Sequence, residues 1–115
     1  MDKNKALYKL KGLPPIYYLN LDEQPERKEY MEEQFKYWEI ENYTRISAYD
    51  GRDGRDLGDI LKGRYPDNMS SGEVGCTTSH LRAMVEFLKT GASCALIMED
   101  DCDISTASYW PFEWK

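Results

Sequence analysis

The chain has 115 residues, of which 41% are hydrophobic and 31% charged, and it carries a net charge of −6. This length suits one domain with a modest core, and the acidic balance argues against a nucleic-acid-binding surface, which needs a basic face. The three cysteines form no Cys-x-x-Cys pair, so neither a disulfide framework nor a zinc site is indicated. The sequence has neither the apolar run of a signal peptide nor the roughly 18 apolar residues of a membrane span. We therefore expect a reduced, cytoplasmic protein.

A short strand is the first element that the sequence predicts. Residues 1–13 are polar and are expected to lead into the fold, which we place from about residue 14. Residues 16–19 are β-forming residues that follow two prolines, and they indicate a buried strand. Asn20 comes directly after them, in the turn from this strand to the next element.

A helix is predicted next, over residues 23–38. Pro25 falls in its first turn, where a missing N–H costs little. Met31, Phe35 and Trp38 recur at helical spacing and form one apolar stripe. This stripe is expected to face the core.

The middle of the chain predicts a second strand and a long loop. The strand covers residues 45–49 and is followed directly by Asp50. Residues 51–69 carry four glycines and one proline. We expect a loop there, with one short helical turn around residues 57–61.

A second helix and a third strand complete the pattern. Residues 70–73 read Ser-Ser-Gly-Glu and match a capping box, and Gly91 is placed to end the helix. The apolar stripe of this helix is expected to consist of Leu81, Met84, Val85 and Leu88. Residues 95–98 predict a buried strand that runs straight into three acids.

The order of these elements indicates an α/β fold with a mostly parallel sheet and flanking helices. In such sheets, ligands bind at the carboxyl ends of the strands. Asn20, Asp50 and the acidic run Glu99-Asp100-Asp101 all follow predicted strands. We therefore expect the chemistry at that one edge of the sheet.

The three consecutive acids predict a site for a divalent metal. Like charges this close destabilise one another unless a cation neutralises them. Mg²⁺ and Mn²⁺ prefer one or two carboxylates, with water and substrate phosphate in the other positions. If the strand continues through residue 101, Glu99 and Asp101 point to the same side and flank one ion. Asp100 then faces a ribose or sugar hydroxyl, or the opposite face. The alternative is a solvent-exposed strand end that caps a following helix.

Four blocks of the sequence, taken in order, resemble glycosyltransferase family 25, the lipopolysaccharide-type and procollagen galactosyltransferase group. They are IYYLNL at residues 16–21 with Arg27 following, ISAYDG at 46–51, GEVGCTTSH at 72–80 and ALIMEDD at 95–101. The third and fourth blocks are the specific ones.

The resemblance implies a GT-A (Rossmann-like) nucleotide-sugar-binding fold, with Mn²⁺ or Mg²⁺ held by the acidic motif. Asp101 is the first choice as metal ligand, together with Glu99. The donor is expected to contact the other candidate residues, which are Asn20, Arg27, Asp50, Ser79, His80 and Asp100. The implied reaction transfers galactose or glucose from a UDP-sugar to a hydroxyl of a glycan or protein acceptor.

Members of the family continue well past the acidic motif, whereas this chain stops at Lys115. The resemblance therefore implies one domain over residues 1–115 that is truncated and lacks the acceptor half and the general base. A second interpretation is an inactive or partial module that binds the nucleotide sugar, with open sheet edges that favour a homodimer. A third compares Asp101-Cys102-Asp103 with aspartate-nucleophile phosphatases, with Asp101 phosphorylated and Asp103 as the acid/base.

Overall fold

Three parallel strands with one α-helix on each face make up the fold in this computed structural model, which describes residues 7–49 and 68–111. The elements in chain order are a 3-10 turn at Tyr8–Leu10, strand β1 at Ile16–Asn20, helix α1 at Pro25–Tyr37, strand β2 at Tyr43–Ser47, helix α2 at Ser71–Leu88, strand β3 at Leu96–Glu99 and a 3-10 helix at Ile104–Tyr109. The strand order is β2-β1-β3, and both pairs are parallel. The predicted α/β class, with a Rossmann-like parallel sheet and flanking helices, is confirmed.

One face of the sheet packs against α1. Successive side chains of a strand point to opposite faces, so Ile16 and Tyr18 share a face of β1. Both are buried against Met31 and Phe35 of α1, and Trp38 closes the same cluster. The predicted stripe of the first helix is therefore confirmed, and Pro25 occupies its first turn as expected.

Residues ahead of β1 also contribute to this cluster. Leu10 of the first 3-10 turn is buried together with Ile104 and Ala107 of the 3-10 helix that follows β3. Packed structure therefore begins before residue 14, because apolar residues at positions 7, 10 and 13 give the polar leader a side that can be buried.

Helix α2 covers the opposite face of the sheet with small side chains. Gly75, Ser79 and Ala83 are buried and recur at a spacing of four, which places them in one row along the helix. Ala83 packs into a cluster with Tyr17 and other apolar side chains of β1 and β2. The row allows the helix to lie close to the sheet.

The stripe predicted for this second helix is wrong. Met84 is 45% exposed and Leu88 is 75% exposed, while Leu81 and Val85 are half-buried. The physical reason is that small residues permit closer packing than the larger apolar ones, and Ser79 satisfies its hydroxyl within the protein.

The ends of α2 follow the predicted signals. Ser70 Oγ accepts a hydrogen bond from the Glu73 amide at 3.1 Å, and the Glu73 carboxylate accepts one from the Ser70 amide at 3.5 Å. The predicted capping box is therefore confirmed. The helix ends at Leu88, and Gly91 adopts a φ of +74° in the turn that follows.

The second and third strands depart from their predictions in detail. Strand β2 begins and ends two residues earlier than the predicted range 45–49. Residues 96–98 of β3 are half-buried instead of buried, because β3 lies at one edge of the described sheet.

Two predictions fall on residues outside the described ranges. The loop with a short helical turn and the donor contact of Asp50 both involve residues 50–67. Within the described ranges, none of the helices is both long enough and apolar enough to cross a membrane.

Candidate functional site

A cavity of about 400 Å³ lies at the carboxyl edge of the sheet, between the strand ends and the first half of α2. The strand side contributes mainly apolar groups, which are Leu19, Leu21, Ala48 and Tyr49. Helix α2 contributes small side chains, which are Ser71, Gly72, Gly75, Cys76 and Ser79. Of the residues that the structure describes, Arg27, Glu99 and Asp100 supply the charged part of the lining. The cavity therefore lies at the edge where the sequence predicts the chemistry.

Asp100 is the buried member of the acidic run. Its side chain accepts a hydrogen bond from Asn20 Nδ2 at 2.8 Å, and its other oxygen lies 3.4 Å from Arg27 Nη1. Asp100 is only 8% exposed, so these two partners satisfy a carboxylate that solvent reaches poorly. Three residues predicted for the site, Asn20, Arg27 and Asp100, thus meet in one cluster.

Strand β3 ends at Glu99, and residues 100 and 101 form a turn. The argument that residues 99 and 101 share a side because the strand continues through them is therefore wrong. Glu99 lines the cavity, whereas Asp101 lies in the turn beside it. The turn, and not strand alternation, decides where these carboxylates point.

The carboxylates of Glu99 and Asp101 are both exposed, and neither forms a hydrogen bond or an ion pair with a side chain of the described ranges. Two carboxylates without a side-chain partner in this part of the chain match the oxygen donors that Mg²⁺ and Mn²⁺ take from proteins. The described residues do not form a metal site built from protein ligands alone, since no group of three or more His, Cys, Asp or Glu among them is placed to hold an ion. The residues present fit an ion that completes its shell with water and phosphate.

Asn20 is almost completely buried, at 1% exposed. Besides Asp100, its Nδ2 donates to the Gln24 carbonyl at 3.1 Å, and its Oδ1 accepts from Arg45 Nε at 2.9 Å. The amide is therefore bonded on both sides within the protein, and a contact with the nucleotide stays a prediction.

Arg45 is the residue at this edge that the sequence analysis missed. Its Nη2 donates to the Asn20 carbonyl at 3.0 Å and to Asp22 at 2.7 Å, and Ser47 also donates to Asp22. The available signal is a positive charge inside a strand, which needs a nearby partner when it is partly buried.

Ser79 joins α2 to the end of β2. Its Oγ accepts from the Tyr49 amide at 2.7 Å and donates to the Gly75 carbonyl at 2.7 Å. His80, the next residue, lies outside the lining of the cavity, and its Nδ1 is 2.9 Å from the Cys76 carbonyl of its own helix. Ser79 thus shapes the cavity wall, and donor contacts of either residue remain predictions.

The phosphatase interpretation gains no support from the acidic turn. The Asp103 carboxylate accepts hydrogen bonds from the Ser105 amide at 3.0 Å and from the Ser105 hydroxyl at 2.7 Å, and so caps the 3-10 helix. A carboxylate used as a cap in this way is poorly placed to exchange protons with a phosphate ester.

Comparison with known proteins identifies the family. The sequence profile of glycosyltransferase family 25, described as an LPS biosynthesis protein family, matches residues 13–109. No significant match was found among curated proteins or among solved structures. The matched range covers most of the chain and all the residues that line the cavity. The chain belongs to glycosyltransferase family 25.

Proposed function

We propose that this glycosyltransferase domain binds a UDP-hexose together with Mn²⁺ or Mg²⁺ and transfers galactose or glucose to a hydroxyl of a glycan or protein acceptor. The observation that carries the proposal is that one cavity brings together Glu99 of the acidic motif, the cationic Arg27 and the start of α2. All three features suit the diphosphate of a nucleoside diphosphate sugar.

The diphosphate is the part with the clearest support. The start of a helix carries unpaired amide N–H groups and a partial positive charge, and Ser71 and Gly72 present this first turn to the cavity. The Arg27 side chain is 57% exposed, and its contact with Asp100 uses only one of its five donors. The remaining donors suit phosphate oxygens.

Glu99 and Asp101 are the residues that would hold the metal. A divalent ion held by them supplies positive charge that stabilises the diphosphate as a leaving group. The protein contributes the orientation of the two carboxylates and an apolar floor, formed by Leu19, Leu21 and Ala48, on which the uncharged part of the donor packs.

A module that binds the donor without transfer is the second candidate. Among the described residues, the acids that line the cavity are Glu99, which the first proposal assigns to the metal, and Asp100, which is bonded to Asn20 and Arg27. Neither is free to accept the proton of an acceptor hydroxyl. The two outer strands of the described sheet, β2 and β3, also favour pairing with a second copy of the chain.

Isothermal titration calorimetry with UDP, with and without Mn²⁺, tests donor binding. We expect binding that depends on Mn²⁺, and we expect Asp101→Asn and Glu99→Gln to abolish that dependence. Glu41→Gln is the matched control, because Glu41 is exposed at the opposite end of the strands. Equal binding with and without Mn²⁺ contradicts the metal site, and no binding in either condition contradicts the donor site.

Product analysis separates the two candidates. The folded chain is incubated with UDP-galactose or UDP-glucose, Mn²⁺ and a hydroxyl acceptor, and chromatography follows both the release of UDP and the glycosylated acceptor. Turnover supports the transferase, whereas metal-dependent binding without UDP release, with or without added hydroxyl acceptors, supports the binding module.

A further inference from the structure

A line of polar side chains crosses the carboxyl edge of the sheet beneath the acidic turn. It runs from Asp22 to Arg45, from Arg45 to Asn20, from Asn20 to Asp100, and from Asp100 to Arg27. The first three contacts are 2.7, 2.9 and 2.8 Å long, and the last is 3.4 Å. The line therefore ties the acidic turn after β3 to both β1 and β2.

The donors and acceptors in this line fix the direction of the Asn20 amide. A guanidinium only donates hydrogen bonds and an ionised carboxylate only accepts them. Arg45 Nε therefore requires the Asn20 oxygen on its side, which turns the NH₂ group towards Asp100 and the Gln24 carbonyl. Asparagine combines a donor and an acceptor at this short reach, so it can join an arginine to a carboxylate.

We propose that Arg45 and Asn20 are positioning residues for the acidic turn. Arg45 orients the Asn20 amide, and the amide holds Asp100 inward, so that the carboxylates of Glu99 and Asp101 on either side stay directed to the solvent and the donor. The part of this inference that concerns metal and donor rests on the proposed function. The coupling from Arg45 to the turn does not.

The consequence of breaking the line follows from the burial of Asp100. Without the Asn20 amide, the carboxylate loses its shortest hydrogen bond at a site where solvent reaches it poorly. The charge then lowers its free energy by turning towards water, and this movement changes the backbone conformation of its two neighbours. Replacing residues that orient metal ligands in this indirect way typically lowers metal affinity by about 10- to 100-fold.

The experiment measures the conformation of the acidic turn and the affinity for the metal separately. Amide ¹H–¹⁵N correlation spectra of the metal-free chain report the conformation of residues 99–103. Arg45→Met, Asn20→Ala and the double variant are compared with the controls Arg82→Met and Asn42→Ala, which replace the same residue types elsewhere. The Mn²⁺ concentration that supports half-maximal UDP binding is then measured for each protein.

We expect both single variants to shift the amides of residues 99–103 and the double variant to give the same shifts as Asn20→Ala alone, because Arg45 acts through the amide. The Mn²⁺ midpoint should rise by about 10- to 100-fold in all three, with the stoichiometry of UDP binding at saturating Mn²⁺ unchanged. A merely destabilised protein would instead lose stoichiometry. The two controls should match the wild type in every measurement.

The inference is overturned if the amide chemical shifts of residues 99–103 are unchanged in Arg45→Met, or if the shift changes are additive in the double variant. If Arg45→Met does not fold, Arg45→Lys replaces it, because lysine retains the charge beside Asp22 and loses the planar contact with Asn20. If the amide chemical shifts of residues 99–103 in Arg45→Lys equal those of the wild type, the inference is then overturned. Absence of metal-dependent UDP binding in the wild type contradicts the proposed function alone, since the amide shifts still decide whether Arg45 acts on the turn.

Discussion

Three cysteines occupy three different environments, and one of them lies in the cavity. Cys76 is exposed and lines the cavity, Cys94 is exposed outside it, and Cys102 is half-buried. Burial raises the pKa of the Cys102 thiol, and the nearby carboxylates of Asp101 and Asp103 raise it further. Since the thiolate is the reactive form, Cys102 should react slowly with alkylating reagents.

These differences predict a protection pattern for iodoacetamide labelling. UDP with Mn²⁺ should slow the labelling of Cys76 severalfold, because the bound nucleotide covers the cavity wall. Cys94 serves as the internal control and should label at the same rate with and without ligand. Peptide mass spectrometry over a time course measures both rates. Equal protection of Cys76 and Cys94 contradicts binding in this cavity, because it indicates a global effect.

The site shows which residues a sequence can place and which it cannot. Asn20 and Asp100 are predictable, because side chains at the ends of parallel strands meet at one edge, whereas Arg27 was predicted from the family resemblance. Arg45 was missed because its partner depends on the pairing of β1 with β2, which sets Tyr18 opposite Arg45 and brings Asn20 within reach. Periodicity within one strand contains no information on that pairing.

Among the elements, the two helices show where hydropathy predicts a buried helix face and where it does not. The first helix was predicted with its buried face, because Met31, Phe35 and Trp38 are large, apolar and aligned on one side. In α2 the larger apolar residues lie on one side and the small ones on another. The row of small residues packs against the sheet. One turn further along the helix, Phe87 contacts Tyr17 edge-on, with 6.5 Å between the ring centroids.

A pair of substitutions tests the buried face of α2. Ala83→Leu adds volume at a fully buried position and should lower the free energy of unfolding by about 1–3 kcal/mol. Leu88→Ala removes a largely exposed side chain and should change it by less than about 0.5 kcal/mol. Urea unfolding followed by circular dichroism measures both values. A larger loss from Leu88→Ala than from Ala83→Leu would restore the stripe predicted from hydropathy.

At the scale of the whole molecule, the sheet order determines which strand carries most of the core. β1 lies between its two neighbours and is buried along its entire length, whereas β3 is half-buried. The element order predicts the parallel arrangement. The central position of β1 was not predictable, because β1 and β3 are similarly apolar in sequence. The result is a core that depends on contacts from β1 to α1, including one polar contact.

That polar contact joins Tyr18 to Glu32. The buried Tyr18 hydroxyl donates to the Glu32 carboxylate. Burial raises the pKa of Tyr18 far above its usual value of 10.0, and the hydrogen bond to Glu32 raises it further. The same hydrogen bond, assisted by Lys28, lowers the pKa of Glu32 below its usual value of 4.5. Both shifts favour a neutral phenol beside an ionised carboxylate in the folded protein.

The lowered pKa of Glu32 predicts how stability depends on acid. Because the carboxyl is more acidic in the folded state than in the unfolded state, its contribution is present above about pH 4.5 and is lost as the pH falls through the folded value. Glu32→Gln and Tyr18→Phe both remove the charged hydrogen bond, so each should lose less stability than the wild type between about pH 6 and about pH 3. The Glu32 side chain is 33% exposed, and solvent screening limits the difference to about 1 kcal/mol.

Urea unfolding at a series of pH values measures this difference. Glu33→Gln is the matched control, because Glu33 is an exposed neighbour on the same helix, and it should keep the wild-type pH dependence. Tyr18→Phe also loses the hydroxyl in the core, so its stability near neutral pH falls while its acid dependence becomes flatter. If Glu32→Gln and Glu33→Gln lose stability in parallel as the pH falls, the Tyr18–Glu32 hydrogen bond makes no contribution that depends on the ionised carboxylate. The acid sensitivity of the fold then arises from the other carboxylates of this acidic chain.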